Sequence, residues 1–170
     1  FRLGLIYQFA GRYDEAIAST RTALSLSPGR ISAYNLLAVI LLLKDEPEAA
    51  MEAIEQESLE AWRLIGLAMA YHALGQADES DSALDRLMDE YEEGWAYNIA
   101  YVLAFRGEAD RAFEWLDKAV EYNDPGLTDI GIEPMFTNIH DDPRWLPFLE
   151  TVGRSPEQLA AIEFEVTLPQ

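Results

Sequence analysis

The stretch that decides the fold lies at the start of the chain and reads Leu3-Gly4-x-x-Tyr7-x-x-x-Gly11-x-Tyr13-x-x-Ala16, followed by Ala23 and Pro28. Small residues where two helices cross let the backbones approach closely, and bulky neighbours fill the adjacent holes. A glycine between two such segments favours a tight turn. The stretch therefore predicts two packed helices joined by a short turn.

The same pattern recurs three times along the chain. Each copy has a residue in the place of Gly4, Tyr7, Gly11 and Ala16, in that order. They are Ala38, Leu41, Asp45 and Ala50 in the second copy, Ala68, Tyr71, Gly75 and Ser80 in the third, and Ala100, Leu103, Gly107 and Ala112 in the fourth. From Gly4 to Ala38, Ala68 and Ala100, the successive spacings are 34, 30 and 32 residues. Repeats of this length indicate an array of stacked units.

The third copy shows most clearly how a unit is built. Residues 62–74 are apolar on nearly every side, so this helix is predicted to be buried, and Gly75 is predicted to end it. Asp78 is predicted to be the N-cap of the next helix. The apolar stripe of that helix comprises Ala83, Leu84, Leu87 and Met88.

The chain resembles the tetratricopeptide repeat family, whose pattern W-x-x-L-G-x-x-Y continues with Ala, Phe and Pro over about 34 residues. The residues that match in place are Leu3, Gly4, Tyr7, Ala16 and Pro28. The second copy departs from the pattern, because Asp45 replaces the turn glycine, Pro47 the next aromatic residue and Glu57 the closing alanine. The resemblance implies an all-α fold, a right-handed α-solenoid of helical hairpins. About 3.5 to 4 repeats are predicted, at residues 1–30, 31–58, 59–92 and 93–124, and the first of them is expected to be truncated.

Residues 125–170 do not repeat and are predicted to form capping helices and a tail. Asp124-Pro125-Gly126 breaks the last repeat helix, and a loop is expected from Asp129 to Glu133. Short helices are then predicted over residues 133–139, over residues 142–149 with Asp142 as N-cap, and from Ser155 to about Phe164. This region is similar to the closing segment of repeat arrays in bacterial multidomain regulators, including adenylate cyclases and TolB-like proteins.

The composition excludes several classes of function. The 170 residues include 12 basic and 31 acidic residues, a net charge of -19, which argues against binding nucleic acid or anionic lipid. The absence of cysteine excludes disulfides and thiolate chemistry. It does not decide the compartment: the cytoplasm is expected, and the periplasm stays an alternative. The apolar run of residues 36–43 is too short to cross a membrane. Because the chain starts with Phe1, we expect a piece of a longer protein.

The sequence offers little material for catalysis, metal binding or a cofactor. Its two histidines are His72, within an apolar helix, and His140, which precedes Asp141 and Asp142. A packed imidazole and a polar loop are the favoured interpretations of these two places. Known nucleotide-binding, calcium-binding and hydrolase motifs are absent from the sequence. We therefore expect a non-catalytic protein without metal or cofactor.

The resemblance implies a concave groove lined by the first helix of each repeat. Its lining residues would be Phe9, Asn35, Leu42, Leu43, Trp62, Met69, His72, Tyr97, Tyr101 and Phe105. About half of them are expected to pack between repeats instead. Only Asn35 suits the capture of a peptide carboxylate, so an acidic C-terminus is a poor ligand for this groove.

The predicted function is a protein interaction or regulatory module. Its partner would be a protein or peptide with an apolar or amphipathic segment and basic flanks. Two other occupants of the groove remain open: a second copy of the chain, and the chain's own apolar tail, comprising Leu159, Ile162, Phe164, Val166 and Leu168. The competing function is an architectural or dimerisation module that holds other domains of a multidomain bacterial regulator.

Overall fold

The structure, a computed structural model, describes residues 1–162 and is helical throughout, with no strand in that range. Its seven long helices are α1 Arg2–Phe9, α2 Tyr13–Leu26, α3 Ala33–Leu43, α4 Pro47–Ile54, α5 Glu60–Ala73, α6 Ala77–Phe105 and α7 Ala109–Glu121. Two 3₁₀ helices, Pro125–Thr128 and Pro134–Ile139, and two short helices, α8 Trp145–Thr151 and α9 Pro156–Ala160, follow. The predicted all-α class is confirmed.

The long helices pack as consecutive antiparallel hairpins. Each helix contacts the next one along the chain, and α3 also contacts α5 across the intervening α4. Each hairpin thus lies against its neighbours in sequence, which is the arrangement of an α-solenoid. The small residues of the repeated pattern lie at the crossings, where Ala16, Ala38, Ala68 and Ala100 are fully buried.

The turns within the four hairpins share one conformation. Gly11, Asp45, Gly75 and Gly107 have φ angles of 69°, 61°, 73° and 77°. In each turn, the N–H group of the following residue donates to the carbonyl of the bulky pattern residue five positions back, Tyr7, Leu41, Tyr71 or Leu103. This bond satisfies a carbonyl that the helix end leaves free. Asp45 therefore adopts the left-handed conformation of the glycine that it replaces.

The third and fourth hairpins share the long helix α6. Its backbone leaves helical geometry at Tyr91 (φ -135°) and Trp95 (φ -139°), so the helix is kinked there. The predicted boundary between residues 92 and 93 falls between these two residues. The part before the kink packs with α5, and the part after it precedes the turn into α7.

Several predicted helix ends were wrong. The N-cap residue of α6 is Gln76, and Asp78 lies in the first turn, where a negative charge is favourable without a capping bond. The N-cap residue of α8 is Arg144, so Asp142 lies before the helix. The Asp142 carboxylate accepts the Arg144 N–H at 2.9 Å and closes a turn there. Within the described residues, α9 ends at Ala160 rather than near Phe164.

Ser155 opens α9 as predicted. Its hydroxyl accepts from the Gln158 N–H, and the Gln158 side chain accepts from the Ser155 N–H, which is a capping box. The segment after Glu133 is also helical, with Pro134 at its first position, but it is a 3₁₀ helix. No helix within residues 1–162 combines the length and the apolar character needed to cross a membrane.

Candidate binding site on the inner face

A cavity of about 430 Å³ lies on the face formed by the first helices of the hairpins. We call it the inner-face cavity. Its wall comprises Phe1, Leu5, Gln8, Phe9, Ser32, Asn35, Leu36, Val39, Trp62, Gly94, Trp95, Tyr97, Asn98, Tyr101, Asp124, Pro125, Gly126, Asp129, Glu133 and Met135. These residues come from α1, α3, α5, α6 and the segment that follows α7, so all four hairpins contribute. Its volume is within the usual range of ligand pockets.

Two tryptophans form one wall of the inner-face cavity. The ring centroids of Trp62 and Trp95 are 4.7 Å apart with an interplanar angle of 84°, an edge-to-face contact. Tyr91 packs edge-on against Trp95 at 6.5 Å. Such aromatic pairs are stabilising in addition to the area they bury. Trp95 lies at the kink of α6, and its indole packs against Trp62 of α5.

Two tyrosines and Met135 of the second 3₁₀ helix also line the cavity. The Tyr97 and Tyr101 rings are 6.0 Å apart, and Phe136 packs against them at 5.5 and 6.4 Å. A side chain at Gly126 would overlap the Tyr97 ring, so glycine permits this approach. The Asp124 carboxylate accepts the N–H groups of Tyr97 at 3.1 Å and Gly126 at 2.9 Å. These two bonds attach the segment after α7 to α6.

Glu133 provides a carboxylate at the buried end of the cavity. Its Oε1 atom accepts the Gln8 side-chain N–H and the Met135 backbone N–H, both at 3.3 Å. Its side chain is only 9% exposed. Burial raises the pKa of Glu133 to about 7, while the Met135 bond opposes this and the charge of Asp129 adds to it. Glu133 also links the first helix of the array to the segment that follows the last one.

Two further polar atoms beside Glu133 have no hydrogen-bond partner within residues 1–162. They are the Gln8 Oε1 atom and the Tyr97 hydroxyl. The two residues are 2% and 5% exposed. Burial raises the pKa of Tyr97 well above its usual value, and the charges of Glu133 and Asp129 add to the shift. The cavity thus has aromatic walls and an end that carries acceptor atoms.

Comparison with known families identifies the repeats. Residues 1–30 and residues 61–86 each match a model of the tetratricopeptide repeat. The chain contains tetratricopeptide repeats. No curated protein matches the chain. The two matched stretches include the first hairpin and most of the third.

Five of the ten groove residues predicted for this tetratricopeptide repeat protein line the inner-face cavity: Phe9, Asn35, Trp62, Tyr97 and Tyr101. Met69 is fully buried and Leu42 nearly so, and neither presents a usable surface because both pack between helices. His72 and Phe105 pack edge-on at 6.0 Å and do not line the cavity, nor does Leu43. The Phe105 carbonyl accepts a bond from Asn138, so the second 3₁₀ helix reaches the end of α6.

Residues of the segment 124–135 close one side of the cavity. Leu159 and Ile162 of the predicted tail strip are exposed, and Phe164, Val166 and Leu168 lie outside the described residues. The sequence analysis missed Glu133, Gln8 and Trp95. Trp95 could have been found as a further aromatic residue near Tyr97, whereas no pattern around Glu133 in the sequence indicates that its carboxyl group is buried.

The two histidines of the repeat protein have packing partners. His140 stacks on Trp145 with centroids 4.6 Å apart, and burial lowers its pKa. Burial also lowers the pKa of His72, and the charge of Arg106 adds to this effect. In the described part of the chain, no group of three or more His, Asp and Glu side chains is placed to hold a metal ion. The residues that line the inner-face cavity thus offer apolar contact and hydrogen bonding.

Proposed function

We propose that this tetratricopeptide repeat protein is a non-catalytic interaction module that binds a segment of a partner protein in the inner-face cavity. The observation that carries the proposal is the aromatic wall formed by Trp62 and Trp95, with half-buried Phe1, Leu5 and Phe9 beside it. Half-buried aromatic residues at a concave site are the usual anchors of protein interfaces. A continuous set of hairpins supplies a rigid support for them.

The chemistry of the lining favours an apolar or amphipathic partner segment with basic flanks. The charged residues of the cavity wall are Asp124, Asp129 and Glu133, all acidic. The chain as a whole carries a net charge of -19. An acidic peptide would be repelled on approach, whereas a basic one would be attracted.

The experiment begins by identifying the bound segment and then measures its affinity. A photoreactive benzoylphenylalanine in place of Leu5, which lines the cavity, cross-links the partner, and the cross-linked segment is synthesised as a peptide. Calorimetry then compares the wild type with Trp62→Ala. We expect Trp62→Ala to weaken binding by at least about 30-fold, the typical effect of losing a central aromatic anchor.

Leu146→Ala is the matched control, because Leu146 is an exposed apolar residue on α8 outside the cavity. Its affinity for the peptide is expected to equal that of the wild type, and circular dichroism should show that both variants keep their helices. Unchanged affinity in a folded Trp62→Ala protein would overturn the proposal.

An architectural or dimerisation module is the second candidate, favoured by the exposed apolar residues of the first hairpin. Leu3, Ile6 and Leu26 are 51%, 61% and 82% exposed. A second copy of the chain could cover them, which would join other domains of a multidomain bacterial regulator in pairs. Sedimentation tests this function: a dimer that Leu26→Glu dissociates supports it, and a monomer at all concentrations excludes it.

A further inference from the structure

The polar end of the inner-face cavity has an imbalance of hydrogen-bonding groups. The Gln8 amide donates one N–H to Glu133, and its buried Oε1 acceptor has no partner among the described residues. The Tyr97 hydroxyl also lacks a partner among the described residues. Glu133 and Asp129 add carboxylate oxygens, which accept bonds when ionised. The carboxylates, the Gln8 Oε1 atom and the Tyr97 hydroxyl oxygen can each accept a further bond, so this end is suited to a ligand group with several donors.

The charge at this end has the same sign throughout. Each element that faces Glu133 contributes a neutral or an acidic side chain: Gln8 from α1, Tyr97 and Tyr101 from α6, and Asp124 and Asp129 from the segment after α7. Among the residues that the structure describes, no lysine, arginine or histidine lines the cavity. Both carboxylate oxygens of Asp124 already accept hydrogen bonds, from the N–H groups of Tyr97 and Gly126. Glu133 is thus a nearly buried carboxyl group without a cation, and a cationic ligand would supply one.

From these observations we infer that the inner-face cavity binds an arginine side chain of the partner segment, with its guanidinium on Glu133, Gln8 and Tyr97 and its stem between the aromatic walls. A guanidinium has five N–H donors and no acceptor, which complements the free acceptors. Its planar face stacks on indole rings such as those of Trp62 and Trp95. This inference rests on the proposed function, because it names the residue that anchors the partner.

The test uses a pair of small probes that does not depend on the partner. They are acetyl-Leu-Arg-Leu-amide and the same tripeptide with citrulline, which has nearly the shape of arginine but is neutral. Calorimetry at pH 8 measures both affinities for the full chain. The arginine probe should bind at least about tenfold more tightly, the effect of a hydrogen-bonded charge pair. Equal affinities would overturn the inference.

Two substitutions locate the effect. Glu133→Gln keeps the size of the side chain but removes its charge, and it should bring the arginine probe to the affinity of the citrulline probe. The control Glu150→Gln makes the same charge change at an exposed position of α8 and should keep the full preference. A preference that survives Glu133→Gln, or that Glu150→Gln also removes, would contradict a specific site.

Two further readouts keep the inference falsifiable if Glu133→Gln fails to fold. Tyr97→Phe removes only an unpartnered hydroxyl and should lower the arginine preference by about threefold. In the wild type, affinity for the arginine probe should rise from pH 6 to pH 8, because the ionised carboxyl binds the cation. A flat pH profile together with an unchanged preference in Tyr97→Phe would overturn the inference.

The outcomes also separate this inference from the proposed function. If Trp62→Ala weakens the partner peptide but neither probe is preferred, the interaction module stands and the arginine site fails. If the arginine probe is preferred but Trp62→Ala leaves the affinity for the partner peptide unchanged, the arginine site exists and the proposed function fails.

Discussion

At the scale of the residue, Gly66 shows how closely two hairpins approach. It lies in α5 and faces Ile54 at the end of α4. A Cβ atom at position 66 would overlap Cγ1 and Cδ1 of Ile54 and would lie 3.2 Å from its Cβ. Ile54 is fully buried, so its side chain has no free space to move into. We expect Gly66→Ala to lower the free energy of unfolding by about 1–3 kcal/mol, measured by urea denaturation.

The control for this change is Gly94→Ala in α6. An added Cβ at Gly94 meets no atom within 4 Å, so alanine should leave the stability unchanged or raise it by about 0.5–1 kcal/mol. If both alanine variants behaved alike, the packing explanation for Gly66 would be wrong.

At the scale of the element, Glu57 joins the second hairpin to the third. Its side chain is buried between α4 and α5, where one oxygen accepts the Asn35 N–H at 3.3 Å. The other oxygen accepts the N–H groups of Ser58 and Leu59 at 3.1 and 3.2 Å. The Asn35 side chain completes the connection by donating to the Trp62 carbonyl at 2.8 Å. The residue that departs from the repeat pattern thus replaces a packing contact with hydrogen bonds.

Glu57→Ala should therefore lower the free energy of unfolding by about 2–3 kcal/mol, since three N–H groups lose their acceptor, one in a buried place and two in partly buried ones. Urea denaturation measures this loss. Glu55→Ala, two residues earlier at an exposed position, is the matched control and should change stability by less than about 0.5 kcal/mol. Equal losses in the two variants would show that Glu57 is not a structural connection.

The elements differ in how far their sequence predicts them. The hairpins could be predicted because each turn depends on residues close in sequence. In the second hairpin, for example, Asp45 is left-handed, and the next N–H group bonds to the Leu41 carbonyl. The inner-face cavity could be predicted only in part. Tyr97 and Trp62 follow the helix period, whereas Glu133 becomes part of the site only through a contact with Gln8, 125 residues away. Helical periodicity carries no information about such a pair.

At the scale of the whole molecule, the Gln8–Glu133 bond changes the character of the array. In an open solenoid each repeat contacts only its neighbours, so its stability is nearly a sum of local terms. Here the first helix contacts the segment after the last hairpin. The stability of the two ends is therefore coupled, and the coupling depends on the ionisation of one carboxyl group.

The sign of this dependence follows from the pKa of Glu133, which rises from 4.5 to about 7 on folding. The folded protein holds this proton more tightly than the unfolded chain does. The stabilisation is therefore complete below about pH 4.5 and is lost as the pH rises through 7, by an amount of about 3 kcal/mol. Glu133→Gln has no proton to lose, so its stability relative to the wild type should rise between pH 5 and pH 8. Urea denaturation across this range measures the difference, in which the titration of the other carboxyl groups cancels. Parallel profiles for the wild type and Glu133→Gln would mean that Glu133 is already ionised at pH 5. In that case the two ends would not be coupled through its proton.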